Sequence, residues 1–207
     1  AVTATAFIGD GSQLTNLPVS PFRLNDTSGN GIQSQTNTAS GSRSTAMGDS
    51  TTASGIASTA MGGYTSASGS RSTAMGYNTE ASGYNSTAMG RGTTATGDFS
   101  TAMGYYTTAS GYKSTAMGDY TTASGTASTA MGYRTTASDF GSTVIGQHNK
   151  ADETPNPNIF SYQNTAFVIG NGGYDSGGNY VGTTVLSNAF EVLFDGTTTI
   201  AGDLSIN

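Results

Sequence analysis

The sequence predicts an all-β protein built as a parallel β-roll solenoid with 14-residue turns, on three observations. All seven methionines (Met47, Met61, Met75, Met89, Met103, Met117 and Met131) fall on one comb with a spacing of 14 residues, and Ile145 stands one step further along. Alanine recurs every seven residues from Ala39 to Ala137, and Val144 continues the series. A glycine follows two places after each of these alanines, with Asp139 the exception, and again after Val144. So strict a period is the mark of stacked identical turns, not of an enzyme-type globular core.

Composition supports a rod. Of 207 residues, 34% are hydrophobic, only 10% are charged and 30 are glycine. Leu, Ile, Val and Phe gather toward the two ends, so the middle lacks the bulky side chains of a conventional core. Low charge also separates the chain from common disordered segments. The net charge of −6, with seven Lys+Arg in all, leaves no basic stripe for a duplex, so nucleic acid is not an expected partner. No apolar run reaches the ~18 residues of a membrane-spanning helix, so no membrane insertion is expected. No signal peptide is recognisable and Ala1 reads as an internal start, so the chain is expected to be a piece of a longer one. Cysteine is absent, which suits an extracellular protein held together by other means.

Three regions follow: a connector over 1–36, a roll of about eight turns over 37–146, and a C-terminal β-rich module over 147–207. The roll unit reads TASGxxSTAMGxxT and divides into two sevens, one with Ser or Thr between Ala and Gly, the other with Met or Ile. Thr-rich runs favour strands. Glycine at every seventh place is expected to supply corners with positive φ. Two short strands and two corners per turn, stacked at about 4.8 Å, make a flattened rod roughly 38 Å long.

Side chains alternate faces along a strand, and alanine occurs in both half-turns, so the two alanine rows are expected to face each other inside. Thr45, Met47 and their repeats then point outward on one sheet, and Thr38, Ser40 and theirs on the other. The opposite phase, with Met filling the roll, stays open on periodicity alone. A contiguous methionine stripe on the outside calls for a partner surface. Identical rods around an axis would bury it, so Met47, Met61, Met75, Met89, Met103, Met117, Met131 and Ile145 are the expected interface between copies of the chain.

The motifs Ser44-Thr45-Ala46-Met47-Gly48 and Thr51-Thr52-Ala53-Ser54-Gly55, repeated along the chain, resemble the YadA-like head of trimeric autotransporter adhesins. The resemblance covers about half of the chain. It implies a left-handed roll, a homotrimer, an extended extracellular fibre and adhesion at a cell surface. The family usually carries Val and Ile where this chain has Thr and Met, which makes the implied interface less apolar.

The flanks are less regular. The run from Ala6 to Pro18 resembles a short connector of phage tail fibres and bacterial fibres, with a strand at Thr5–Ile8, a turn at Asp10-Gly11, and Leu14 and Leu17 as caps. In the C-terminal region, strands are expected at Ala166–Ile169, Asn188–Phe194 and Thr197–Ile200, with Asp195-Gly196 as a tight hairpin turn. The phrases AFVIGNG and NAFEVLFDGTTTIAG resemble a module of secreted fibre proteins.

Candidate sites are few. His148 is the single histidine, so a His cluster within one chain is excluded; three copies meeting on an axis could hold an ion, but a polar capping role fits the position better. Asp49, Glu80, Asp98, Asp119 and Asp139 form no evident pair of the kind glycoside hydrolysis needs. The Gly-rich run 171–179 lacks the Lys-Ser/Thr of a phosphate loop and reads as a hairpin loop. No enzyme activity, cofactor or metal is expected. In the roll, aromatic residues sit almost only at corners, where they either stack to shield the edge or meet sugars or membrane components. The Thr-x-Ser ranks of the other face raise ice binding as a remote rival. Receptor contacts are expected on irregular C-terminal segments, at Tyr162, Tyr174, Asp175 and Tyr180 beside Phe160. The expected partners are the chain itself and a cell-surface glycan or protein receptor. The expected location is extracellular, on a cell surface or a virion. A phage tail-fibre receptor-binding segment or a carbohydrate-degrading spike is the alternative from another class.

Overall fold

The computed structural model describes residues 22–24, 32–34, 36–152, 154–173 and 186–201. The expected strand at Thr5–Ile8, its turn and the two leucine caps lie outside these. Strand β1 (Phe22–Leu24) pairs antiparallel with β2 (Ile32–Ser34). The turns then alternate a five-residue and a two-residue strand: β3 (Thr45–Asp49), β4 (Thr52–Ala53), β5 (Thr59–Gly63), β6 (Ser66–Ala67), β7 (Thr73–Tyr77), β8 (Glu80–Ala81), β9 (Thr87–Arg91), β10 (Thr94–Ala95), β11 (Thr101–Tyr105), β12 (Thr108–Ala109), β13 (Thr115–Asp119), β14 (Thr122–Ala123), β15 (Thr129–Tyr133), β16 (Thr136–Ala137) and β17 (Thr143–Gln147). Three further strands follow, β18 (Thr165–Asn171), β19 (Asn188–Leu193) and β20 (Thr198–Ile200).

The long strands stack in parallel into one sheet and the short ones into a second, seven-stranded sheet, making about seven closed turns where the sequence suggested about eight. Register is exact at 14 residues: Thr101 lies opposite Thr115, Ala102 opposite Ala116 and Met103 opposite Met117. The long-strand sheet continues past the roll, with β18 parallel to β17 and then β19 and β20 antiparallel. The Asp195-Gly196 turn closes as expected, with the Leu193 amide donating to the Thr197 carbonyl at 2.9 Å and Gly196 at a φ of 88°.

The interior is made of small side chains. Every alanine of the seven-residue series from Ala39 to Ala137 is fully buried, and Val144 and Val168 extend the same core. Beside the alanines run two hydroxyl rows, Ser44 to Ser142 and Thr51 to Thr135, at most 2% exposed. The faces therefore settle with Ala, Ser and Thr inside and Met outside. Ser44, Ser58 and Ser142 donate to the main-chain carbonyls of Gly41, Gly55 and Asp139.

The glycines divide between two jobs: the row from Gly48 to Gly146 has the positive φ expected of it, between 97° and 126°. Gly41, Gly55 and the others of their row do not have positive φ. They are glycine because a β-carbon there would strike the carbonyl of the equivalent residue one turn along. The left-handed position comes two residues after each glycine and is filled mostly by other residues: Arg43, Ala57, Tyr64, Arg71, Phe99, Tyr106, Lys113 and Tyr120. That conformation points the corner amide along the rod. The Phe99 N–H thus donates to the Tyr84 carbonyl at 2.7 Å, and that of Tyr106 to the Arg91 carbonyl at 2.8 Å. Stacking imposes the backbone here and overrides the residue's own preference.

The ends of the short-strand sheet are closed by side chains. Asn37 begins the threonine row: its Oδ1 accepts from the Thr51 amide and its Nδ2 donates to the Gly48 carbonyl, both at 2.9 Å. Asn149 ends it. Its Oδ1 accepts from the Thr136 amide at 2.7 Å and its Nδ2 donates to the Thr136 carbonyl at 3.0 Å, so the amide replaces the backbone of a missing turn. Asp139, the exception in the glycine row, has no turn beyond it to strike. Its carboxylate accepts from the amides of Asn156 (2.7 Å) and Thr165 (3.0 Å).

Candidate functional site

Three surfaces of the rod could meet a partner. The first is the outer face of the long-strand sheet. Met47, Met61, Met75, Met89, Met103, Met117, Met131 and Ile145 stand here in one column, each half-buried by its neighbours above and below. Pairing carries the column on: Ile145 lies opposite Ile169, Ile169 opposite Phe190, and Phe190 opposite Ile200. Residues directly opposite on adjacent strands share a face, so one apolar stripe runs from Met47 to Ile200. A 14-residue comb could not reveal the last three members, because Ile169 lies 24 residues after Ile145.

The second is the outer face of the short-strand sheet, which presents Thr52, Ser54, Thr108 and Ser110 to solvent, with Glu80 interrupting the rank.

The third is the pair of edges. Along one, the Arg91 guanidinium sits 5.7 Å from the Tyr77 ring centroid and 5.6 Å from that of Tyr105. Tyr106 stacks on Tyr120 at 5.2 Å, and Arg134 lies 4.6 Å over Tyr120. The Tyr120 phenol is held above its ordinary value, first by desolvation and then by Tyr105 and Tyr106. Along the other edge Tyr84, Phe99 and Tyr112 meet edge to face. Asp98 and Asp119 lie on opposite edges, which rules out their acting as a pair.

At the C-terminal end, Phe160 packs against Phe140, Tyr162 and Phe194. Tyr162 itself is 69% exposed, so of the expected receptor contacts it is available to a ligand. Tyr174, Asp175 and Tyr180 lie outside the described residues. His148 is fully enclosed, its ring 5.1 Å from that of Tyr133 and against Gly173. Burial holds the imidazole below its ordinary value, and the Arg134 cation adds to that. Among the described residues no three of His, Asp or Glu gather where they could hold a metal ion, and no helix is long and apolar enough to cross a membrane.

The model of the YadA head domain repeat matches the chain in seven overlapping windows, from 39–65 through 67–93 and 95–121 to 123–149. Together they span more than half of the residues, in step with the 14-residue turns. The chain belongs to the YadA head domain repeat family, a structural repeat of adhesin-type surface fibres and not an enzyme family. No curated protein matches it.

Proposed function

We propose that this chain is a non-enzymatic segment of a trimeric extracellular fibre, which mediates adhesion or spaces a tip domain. The observation that carries the reading is the apolar column from Met47 to Ile200. The roll interior is filled by alanine, serine and threonine, so the column has nowhere to turn within its own chain. An exposed stripe of this length, with hydroxyl-bearing threonines beside it, is what a subunit interface leaves on an isolated protomer. Three copies around an axis would bury it on every copy.

Replacing Met89 and Met103 together with Asp should abolish the trimer in sedimentation equilibrium, since six carboxylates would meet in a poorly hydrated seam. The same change at Ser82 and Ser110, on the opposite face, should leave it intact. Equal behaviour of the two pairs refutes the assignment.

Receptor contacts are assigned to the irregular C-terminal region, with Phe160 and Tyr162 and the segment bearing Tyr174, Asp175 and Tyr180. Three copies raise avidity without new contacts. Deleting 171–180 should abolish binding to cells or immobilised glycans while the trimer persists. Undiminished binding would reduce this region to a connector.

A further inference from the structure

We infer that one edge of the roll carries a binding site for an acidic oligosaccharide, seated on Tyr84, Phe99 and Tyr112 between the cations of Arg71 and Lys113. The inference rests on the reading of the chain as an exposed fibre segment and adds a contact outside its C-terminal region.

The corners are where the repeat varies. Packing dictates the Ala, Ser and Thr rows, but the corner side chains are free to differ from turn to turn. On this edge three consecutive turns bear rings in edge-to-face contact, with centroids 5.4 Å apart for Tyr84–Phe99 and 5.8 Å for Phe99–Tyr112. They remain 37%, 44% and 44% exposed. The Arg71 guanidinium lies 5.4 Å over Tyr84 and donates to its hydroxyl. The Lys113 Nζ lies 4.9 Å from the Tyr112 centroid. The two cations are three turns apart, roughly 14 Å at the spacing of stacked strands, which is the length of a short oligosaccharide.

Two further features bear on the ligand. The chain carries a net −6, yet this edge holds Arg43, Arg71 and Lys113 against Asp98, whose Oδ1 is turned to the Tyr84 amide at 2.8 Å. Arg71, Phe99 and Lys113 also occupy left-handed backbone at φ near 60°, where Asn85 and Gly141 of the same row show the residues this geometry favours. Stacking imposes that backbone whatever the residue, so the fold does not dictate which side chain stands at each corner. A sugar ring offers its C–H face to each aromatic ring, and carboxylate or sulfate groups pair with the flanking cations. The Phe99 and Lys113 amides are bonded to the turn below at 2.7 and 2.8 Å and so do not serve a peptide adding as a strand.

The full chain is titrated with heparin, hyaluronan, neutral dextran and poly-glutamate by calorimetry, with sedimentation equilibrium in parallel. Binding of heparin or hyaluronan is expected, with dextran and poly-glutamate inert. Tyr84→Ala with Tyr112→Ala should weaken that binding about tenfold or more. Arg71→Gln with Lys113→Gln should also flatten its salt dependence. Phe99→Asn, which suits the backbone, guards against a folding artefact and should weaken binding while the melting temperature holds. Failure of both acidic glycans to bind, equal binding of poly-glutamate, or unchanged affinity in the variants overturns the site. Variants that lose self-association instead would make this edge a seam between copies and overturn it too. If wild type sediments as a monomer, the fibre reading itself fails; if it is a trimer that adheres to cells but ignores these glycans, only the present inference does.

Discussion

A β-carbon on Gly90 would collide with the carbonyl oxygen of Gly104, its counterpart one turn along, and Gly90 also sits at a φ of +124°. Close stacking of turns therefore depends on glycine at this row. Gly90→Ala should cost more than about 3 kcal/mol, since backbone has to move to admit it. At Gly63 a β-carbon meets only the Tyr77 ring, at 3.2 Å, and φ is not positive; Gly63→Ala should stay within about 1 kcal/mol. Denaturant midpoints of the two variants test the contrast.

The converse holds at Ala57, an exposed residue with left-handed backbone at φ 55°. Ala57→Gly relieves the β-carbon strain of that conformation and loses part of the gain to the freer unfolded chain. A net stabilisation of about 0.5 kcal/mol is expected, read as a higher melting temperature. A destabilised variant would show that the corner is not strained.

Much of this architecture was legible in the residues. Alanine at every seventh place marked both inner rows, and the methionine comb marked the outward column. Two features were not legible. The buried hydroxyl rows look like surface residues by type; their signal was strictness, for Ser44 to Ser142 and Thr51 to Thr135 never vary while the corners do. Positive φ fell rightly on the Gly48 row and wrongly on the Gly41 row, and the left-handed positions two residues further on were missed, because local propensity names glycine, whereas at Tyr64 or Phe99 the stacked turns dictate φ. The extension of the apolar column through Ile169, Phe190 and Ile200 was hidden because sheet register persists where sequence spacing changes.

The caps give a second kind of test. Asp139 is buried and its carboxylate holds two main-chain amides. Asp139→Gly restores the residue of the rest of the row and should nevertheless cost about 2–3 kcal/mol, because two charge-assisted hydrogen bonds are lost with their donors left buried. Asn149→Thr, also a reversion to the repeat, should cost about 1–2 kcal/mol by unpairing Thr136. Hydrogen exchange should show the loss concentrated at the Asn156, Thr165 and Thr136 amides. Protection unchanged there would refute the capping role.

The threonine row points the other way. The Thr107 Oγ1 is fully enclosed and has no hydrogen-bond partner. A buried hydroxyl left unsatisfied costs about 1–3 kcal/mol, and a methyl group of similar shape removes that cost. Thr107→Val should therefore stabilise the roll by about 1 kcal/mol, read from the unfolding midpoint. A loss of stability would show that the hydroxyl is hydrogen-bonded, through an enclosed water for instance.

His148 sets a pH dependence at the end of the roll. Its ring is fully enclosed, and burial, then Arg134, holds its pKa below the ordinary 6.5. The folded state thus takes up a proton less readily than the unfolded chain. The stability linked to this group is complete above pH 6.5; it declines as pH falls below that, because the unfolded chain protonates first, and the decline levels off once the pH passes the folded value. The effect should appear where the backbone of His148 is engaged, at its own amide, which donates to Tyr133 at 3.0 Å, and at the Ser187 amide, which donates to the His148 carbonyl at 3.1 Å. Hydrogen exchange at these two amides should quicken, after correction for intrinsic rates, on going from pH 7 to pH 5.5. His148→Asn accepts the left-handed backbone at φ 43° and binds no proton, so in that variant the corrected protection should be flat across the same interval. Quickening that persists in His148→Asn would assign the sensitivity to another group.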